Sequence, residues 1–121
     1  MDFLGLRRQI QQEQQARNQQ EERLMGLGAA MPGSLLARYA HRGRITTRKN
    51  RRGLKGPYYF ISNKGRHRYV RAGQLELVRQ LLGNHKSFKK GLRVIQVYNQ
   101  RVATLLKKLW RQRMREGQRR C

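Results

Sequence analysis

The chain has 121 residues, 29 of them Lys or Arg against 6 Asp or Glu, which leaves a formal charge of +23. With 37% hydrophobic residues and nine aromatics it can bury a modest core but not enclose a large substrate cavity, so a large multi-domain enzyme is excluded. No apolar run approaches the ~18 residues of a membrane-spanning helix, the N-terminus lacks the basic-then-apolar order of a signal peptide, and the lone Cys121 forms neither an intrachain disulfide nor a zinc cluster. The expectation is a cytoplasmic protein, nucleoid-associated in a prokaryote, with no membrane partner.

Residues 3–24 predict a polar helix. Phe3, Leu6, Ile10, Glu13, Arg17, Gln20 and Leu24 follow spacings of three and four, but the seam is apolar only at its ends, and seven glutamines lie between Gln9 and Gln20. Such a helix is marginal alone, which leaves a frayed arm, a partner-docking helix and Gln-rich disorder as the readings. Gly26, Gly28, Pro32 and Gly33 then mark a linker. Residues 34–42 predict a short helix with Ser34 as N-cap and Leu35, Leu36 and Tyr39 as its apolar face. Ile45-Thr46-Thr47 suits a short strand, and a basic loop follows in which Arg48, Lys49, Arg51, Arg52 and Lys55 crowd together.

The clearest β signal is a hairpin. Gly56-Pro57-Tyr58-Tyr59-Phe60-Ile61-Ser62 and Arg66-His67-Arg68-Tyr69-Val70-Arg71 flank an Asn63-Lys64-Gly65 turn, with Pro57 at a strand's first position. One face is expected on a helix and the other wet and basic. Both carry an aromatic and an arginine, so alternation alone does not say which is which.

From Gln74 to about Glu116 the pattern is helical. Leu81, His85, Phe88, Leu92, Ile95, Asn99, Val102, Leu106 and Leu109 alternate spacings of four and three, a coiled-coil seam with Asn99 at an a position. The seam is open to a homodimer or a protein partner, to the hairpin, to residues 34–42, or to the N-terminal helix, whose glutamates are the main internal counter-charges. Gly83 and Gly91 each cost about 1 kcal/mol of helix propensity, which predicts a break or kink near Gly83-Asn84.

The expected fold class is therefore α+β: a short antiparallel three-stranded sheet flanked by an N-terminal polar helix and a long C-terminal coiled-coil-like helix. Three segments follow along the chain: a helical arm and linker at 1–30, a short helix and basic sheet at 31–73, and an amphipathic helical region with a basic tail at 74–121.

Charge and chemistry point the same way. Residues 1–22 hold three arginines against four carboxylates, so the other 99 residues carry +24, with only Glu76 and Glu116 acidic among them. A polyanion is the missing counter-charge, and nucleic acid fits because each neutralised phosphate releases a counterion. Paired catalytic carboxylates, a metal site built on His41, His67 or His85, and a phosphate-cradling Gly-rich loop are all missing from the pattern, so no catalytic residue, metal or cofactor is expected. The candidate contacts are Arg42 and Arg44 with the basic loop Arg48, Lys49, Arg51, Arg52 and Lys55. To these the hairpin adds Tyr58, Lys64, Arg66, His67, Arg68, Tyr69 and Arg71, and the last helix adds Lys107, Lys108 and Arg111. Cations interleaved with aromatics suit base edges, unpaired bases and phosphates. A non-enzymatic nucleic-acid-binding protein is expected, duplex DNA before RNA. An RNA-binding part of a ribonucleoprotein is the alternative, and a coiled-coil adaptor for an acidic protein is the alternative of another class.

Met31-Pro32-Gly33-Ser34-Leu35, Tyr39, Gly43, Gly56-Pro57-Tyr58-Tyr59, the basic hairpin and the heptad-like helix together resemble a family of small uncharacterised prokaryotic proteins. The resemblance covers about residues 31–105 and implies a mobile-element or transposase neighbourhood. Many of those relatives carry a cysteine-rich segment where this chain reads Ala40-His41-Arg42-Gly43-Arg44-Ile45-Thr46-Thr47-Arg48, so no metal or redox role carries over. A three-stranded sheet followed by a helix is also similar to the amino-terminal DNA-binding domains of some phage integrases.

Overall fold

A computed structural model describes residues 2–41, 44–46 and 55–121. The element order is α1 (Phe3–Met25), β1 (Ser34–His41), β2 (Arg44–Thr46), β3 (Lys55–Asn63), β4 (Arg66–Val70), a 3-10 turn at Ala72–Gln74 and α2 (Leu75–Arg120). The class is α+β, with four strands rather than the expected three. The chain forms two compact units, one of residues 1–27 with 87–121, the other of residues 28–86.

The first unit is a pair of helices. Asp2 caps α1, its Oδ1 accepting a hydrogen bond from the Gly5 N–H at 2.7 Å. Leu6 and Ile10 are buried with Val102 and Leu105 of α2, and Leu109 packs against them. Further along α1 the seam turns polar, and α2 answers in kind: Arg101 pairs with Glu13 at 3.8 Å, and Arg17 Nη1 donates to Asn99 Oδ1 at 3.2 Å. Phe3 lies beneath the Arg113 guanidinium, 4.2 Å from its ring centroid. These contacts run antiparallel along the two helices, so α1 draws its stability from α2 rather than from its own propensity.

The covered stripe of α2 sits one residue away from part of the predicted seam. Gly91, Val102 and Leu105 are buried, whereas Leu92 and Leu106 are 54% and 46% exposed. Phe88, Ile95 and Leu109 are half-buried and Asn99 is exposed. Gly91 accounts for the shift: a Cβ built there would stand 3.0 Å from Leu24 Cγ, so only glycine lets buried Leu24 settle onto the helix.

In the second unit the strand order is β2-β1-β3-β4, every pair antiparallel. The helix expected at 34–42 is strand β1. It pairs with β3 from Ser34↔Ser62 to Ala40↔Lys55, with an irregularity between Arg38 and Ala40. The physical reason is that pairing with β3 gives backbone partners to an eight-residue segment that is too short for a self-sustaining helix, and sends Leu35 and Leu36 to opposite faces. The core of this unit is Ile61, Val70, Val78 and Leu82, with Met31, Leu35, Tyr59 and Leu75 packed around it. The linker is tied down: the Met31 N–H donates to Leu81 O at 3.0 Å and Asn84 Nδ2 to Ala29 O at 2.9 Å. The break expected near Gly83-Asn84 does not occur, since α2 is helical through both residues. Packing of Val78 and Leu82 before Gly83, and of Gly91 after it, outweighs the ~1 kcal/mol propensity cost of one exposed glycine.

Candidate nucleic-acid interface

Strand register assigns the faces that alternation left open. Tyr59, Ile61 and Val70 point to the face covered by the first turns of α2, with Leu35 and Ala37 beside them on β1. Tyr58, Phe60 and Ser62 of β3, His67 and Tyr69 of β4, and Leu36 and Arg38 of β1 share the opposite face. That second face is open. Tyr69 is 55% exposed, Tyr58 38% and Ile45 70%. Phe60 and Tyr69 meet edge to face, their centroids 5.6 Å apart at 66°. Arg38, Ile45, Phe60 and His67 line a shallow groove of about 240 Å³ on this face.

The hairpin is built by its turn. Lys64 and Gly65 both have positive φ, 51° and 78°, which is the two-residue geometry whose twist matches the flanking strands. It holds Asn63 opposite Arg66 and so fixes every pair behind it. At the other end of β3 the Gly56–Pro57 peptide is cis and Gly56 has φ 119°, with Arg38 O 3.0 Å from where a Cβ would stand. Glycine is required there by both conformation and space.

The hairpin arginines Arg66 and Arg68 share one face. Arg66 and Arg68 stand on the side of Ile61 and Val70, where with Met31, Pro32 and Asn63 they line a groove of about 510 Å³. Arg68 Nη2 donates to Met31 Sδ at 3.7 Å. The open face takes its buried-edge guanidinium from β1 instead: Arg38, half-buried, opposite Tyr58 and held by a bond from Nη1 to Ala37 O at 3.0 Å. Arg38 was missed from sequence because residues 34–42 were read as helical. A segment bracketed by Gly33 and Gly43 was the available signal, since that span is of strand length.

The remaining expected contacts fall as follows. Arg44, Lys55, Lys64 and Arg71 are exposed in the sheet unit. Arg42, Arg48, Lys49, Arg51 and Arg52 lie outside the described residues. Lys107, Lys108 and Arg111 are exposed on α2 in the helical unit, where Trp110 is also 62% exposed. Residues 28–86 hold fourteen Lys and Arg against one carboxylate, Glu76, which pairs with Arg79 at 3.3 Å. The helical pair spends its carboxylates internally, through Arg101–Glu13, Arg17–Glu21 at 3.7 Å and Arg113–Glu116 at 3.1 Å. Among the described residues no three of His, Cys, Asp and Glu gather as a metal site, and no helix is long and apolar enough to cross a membrane.

No curated protein and no solved structure matches the chain. Residues 7–80 match a domain of unknown function, DUF6788. The match overlaps the segment that carries the motif resemblance and reaches back through most of α1, which that resemblance had left out. Because it takes in the greater part of the sequence, from the first helix through the sheet to the start of α2, the chain belongs to the DUF6788 family.

Proposed function

We propose that this protein is a non-enzymatic nucleic-acid-binding protein whose sheet unit makes the main contact. The observation that carries it is the fourteen-to-one excess of cations over carboxylates in residues 28–86, on a unit that also exposes tyrosines. Such an excess repels itself in the compact state and is relieved by a phosphate backbone. The two sides of the hairpin divide the work: Arg66 and Arg68 present guanidinium groups around one groove, while Arg38 and His67 flank another. The resemblance to proteins found near mobile elements supports an accessory role in transposition or its regulation inside a prokaryotic cell.

Nuclease-treated protein titrated with nucleic acid across a salt series tests this directly. The expected result is a linear fall of log affinity with log salt, by roughly 0.7 to 0.9 for each phosphate neutralised. Replacing Arg66 and Arg68 together with Ala is expected to reduce that slope by about 2, one for each lost phosphate contact. A flat salt dependence would sink the proposal.

A further inference from the structure

We infer that the open face of the sheet is a stacking platform for the unpaired bases of a single-stranded nucleic acid; this rests on the nucleic-acid function proposed above and names the form of strand it takes. Three rings stand on one face, Tyr58 and Phe60 along β3 and Tyr69 across from Phe60 on β4, and the two tyrosines are substantially exposed. An isolated soluble domain gains nothing by wetting tyrosine rings on adjoining strands, whereas a base stacked on each ring removes both π-faces from water. The spacing fits. Residues two apart on a strand are separated by roughly 7 Å, about twice the rise of a stacked base step, so an extended strand with its bases unstacked matches the repeat of Tyr58 and Phe60.

The surroundings select nucleic acid over an apolar protein segment. The groove beside Phe60 is flanked by Arg38 and His67, and Glu76 is the sole carboxylate in the whole unit. A partner laid here must bring flat apolar groups and negative charge together, as a phosphodiester strand does. Stacking argues against a duplex, because bases inside it are already stacked on one another and offer no free face to the rings. The open face therefore selects an unpaired strand, in contrast to the duplex that charge and a hairpin by themselves suggest.

The full chain is to be titrated at about 0.2 M salt with oligothymidylate and oligouridylate of about 12 nucleotides, an abasic strand of equal charge, and a duplex of equal length. At least one base-bearing strand is expected to bind roughly 10-fold or more tighter than the abasic strand and the duplex, and the tighter of the two identifies DNA or RNA as the source. Tyr58→Val and Tyr69→Val exchange an aromatic strand former for a β-branched one, and each is expected to weaken the base-bearing strand roughly 5- to 100-fold while leaving abasic binding unchanged. Equal binding of abasic and base-bearing strands, or preference for the duplex, overturns the platform and leaves the electrostatic function standing. Failure of all four to bind overturns both. The abasic comparison uses the unaltered protein, so a variant that fails to fold leaves the test intact.

Discussion

Single residues in the hairpin turn control the placement of the exposed rings. Lys64 holds a left-handed backbone that costs an ordinary side chain about 1 to 2 kcal/mol, whereas asparagine tolerates it. Lys64→Asn is expected to raise unfolding stability by up to about 1 kcal/mol, read from a denaturant midpoint. Gly65→Ala is the opposite case. A Cβ at Gly65 meets nothing within 4 Å, so space is free and the whole expected loss, about 1 to 2 kcal/mol, comes from φ. If Gly65→Ala proves neutral, the turn does not hold the register claimed for it. That Asn63-Lys64-Gly65 forms a turn was legible in sequence because turn chemistry is local. Which arginine stands beside which tyrosine was not, because a face is defined only once a strand has a partner.

At the scale of elements, two glycines of α2 look alike in sequence and differ in the fold. Gly83 is exposed and a Cβ there meets nothing within 4 Å, so Gly83→Ala is expected to stabilise by about 1 kcal/mol through helix propensity. Gly91 is buried against Leu24, and Gly91→Ala is expected to destabilise by up to about 2 kcal/mol, because overpacking exceeds the propensity gain. Thermal or denaturant melts of the two variants decide it, and two stabilised variants would mean that Leu24 does not seat on Gly91. The same contact explains the seam. Heptad spacing found the helicity of α2 and several of its packed positions, Phe88, Ile95, Val102 and Leu109, but not its continuity through Gly83. It could not place Leu92 and Leu106, because the side of α2 that α1 covers is set by the close approach at Gly91 and by Glu13 and Arg17 meeting Arg101 and Asn99. Strand β1 was misread for a related reason: Ser34-Leu35-Leu36-Ala37 has no β-branched residue, and only the edge offered by β3 makes it a strand.

For the whole molecule, net charge sets the response to solvent. At +23, with an excess of thirteen positive charges in residues 28–86 alone, self-repulsion opposes folding and salt screens it. The melting temperature of the free protein is therefore expected to rise between about 0.02 M and 0.5 M salt, the opposite of the fall in affinity for a polyanion over the same range. A melting temperature that drops with salt would mean that the cations are already neutralised within the chain. The two units face this differently. The helical pair places Glu13, Glu21 and Glu116 against its own arginines, while the sheet unit has only Glu76 to offset fourteen cations.

The α+β class, the helical periodicity of residues 3–24 and 74–116, the hairpin with its turn and the overwhelming positive charge were all determined by the sequence itself, because propensity, periodicity, turn chemistry and charge act over a few neighbouring residues or by simple addition. The tertiary structure alone decided that residues 34–41 are a strand, that α1 finds its polar and apolar partners on α2, and that Tyr58, Phe60, Tyr69 and Arg38 share the open face while Arg66 and Arg68 stand on the other. Those outcomes depend on pairings between segments distant in the chain. A strand's two faces are equivalent until a helix covers one of them, and here Val78 and Leu82 of α2 cover the face of Ile61 and Val70.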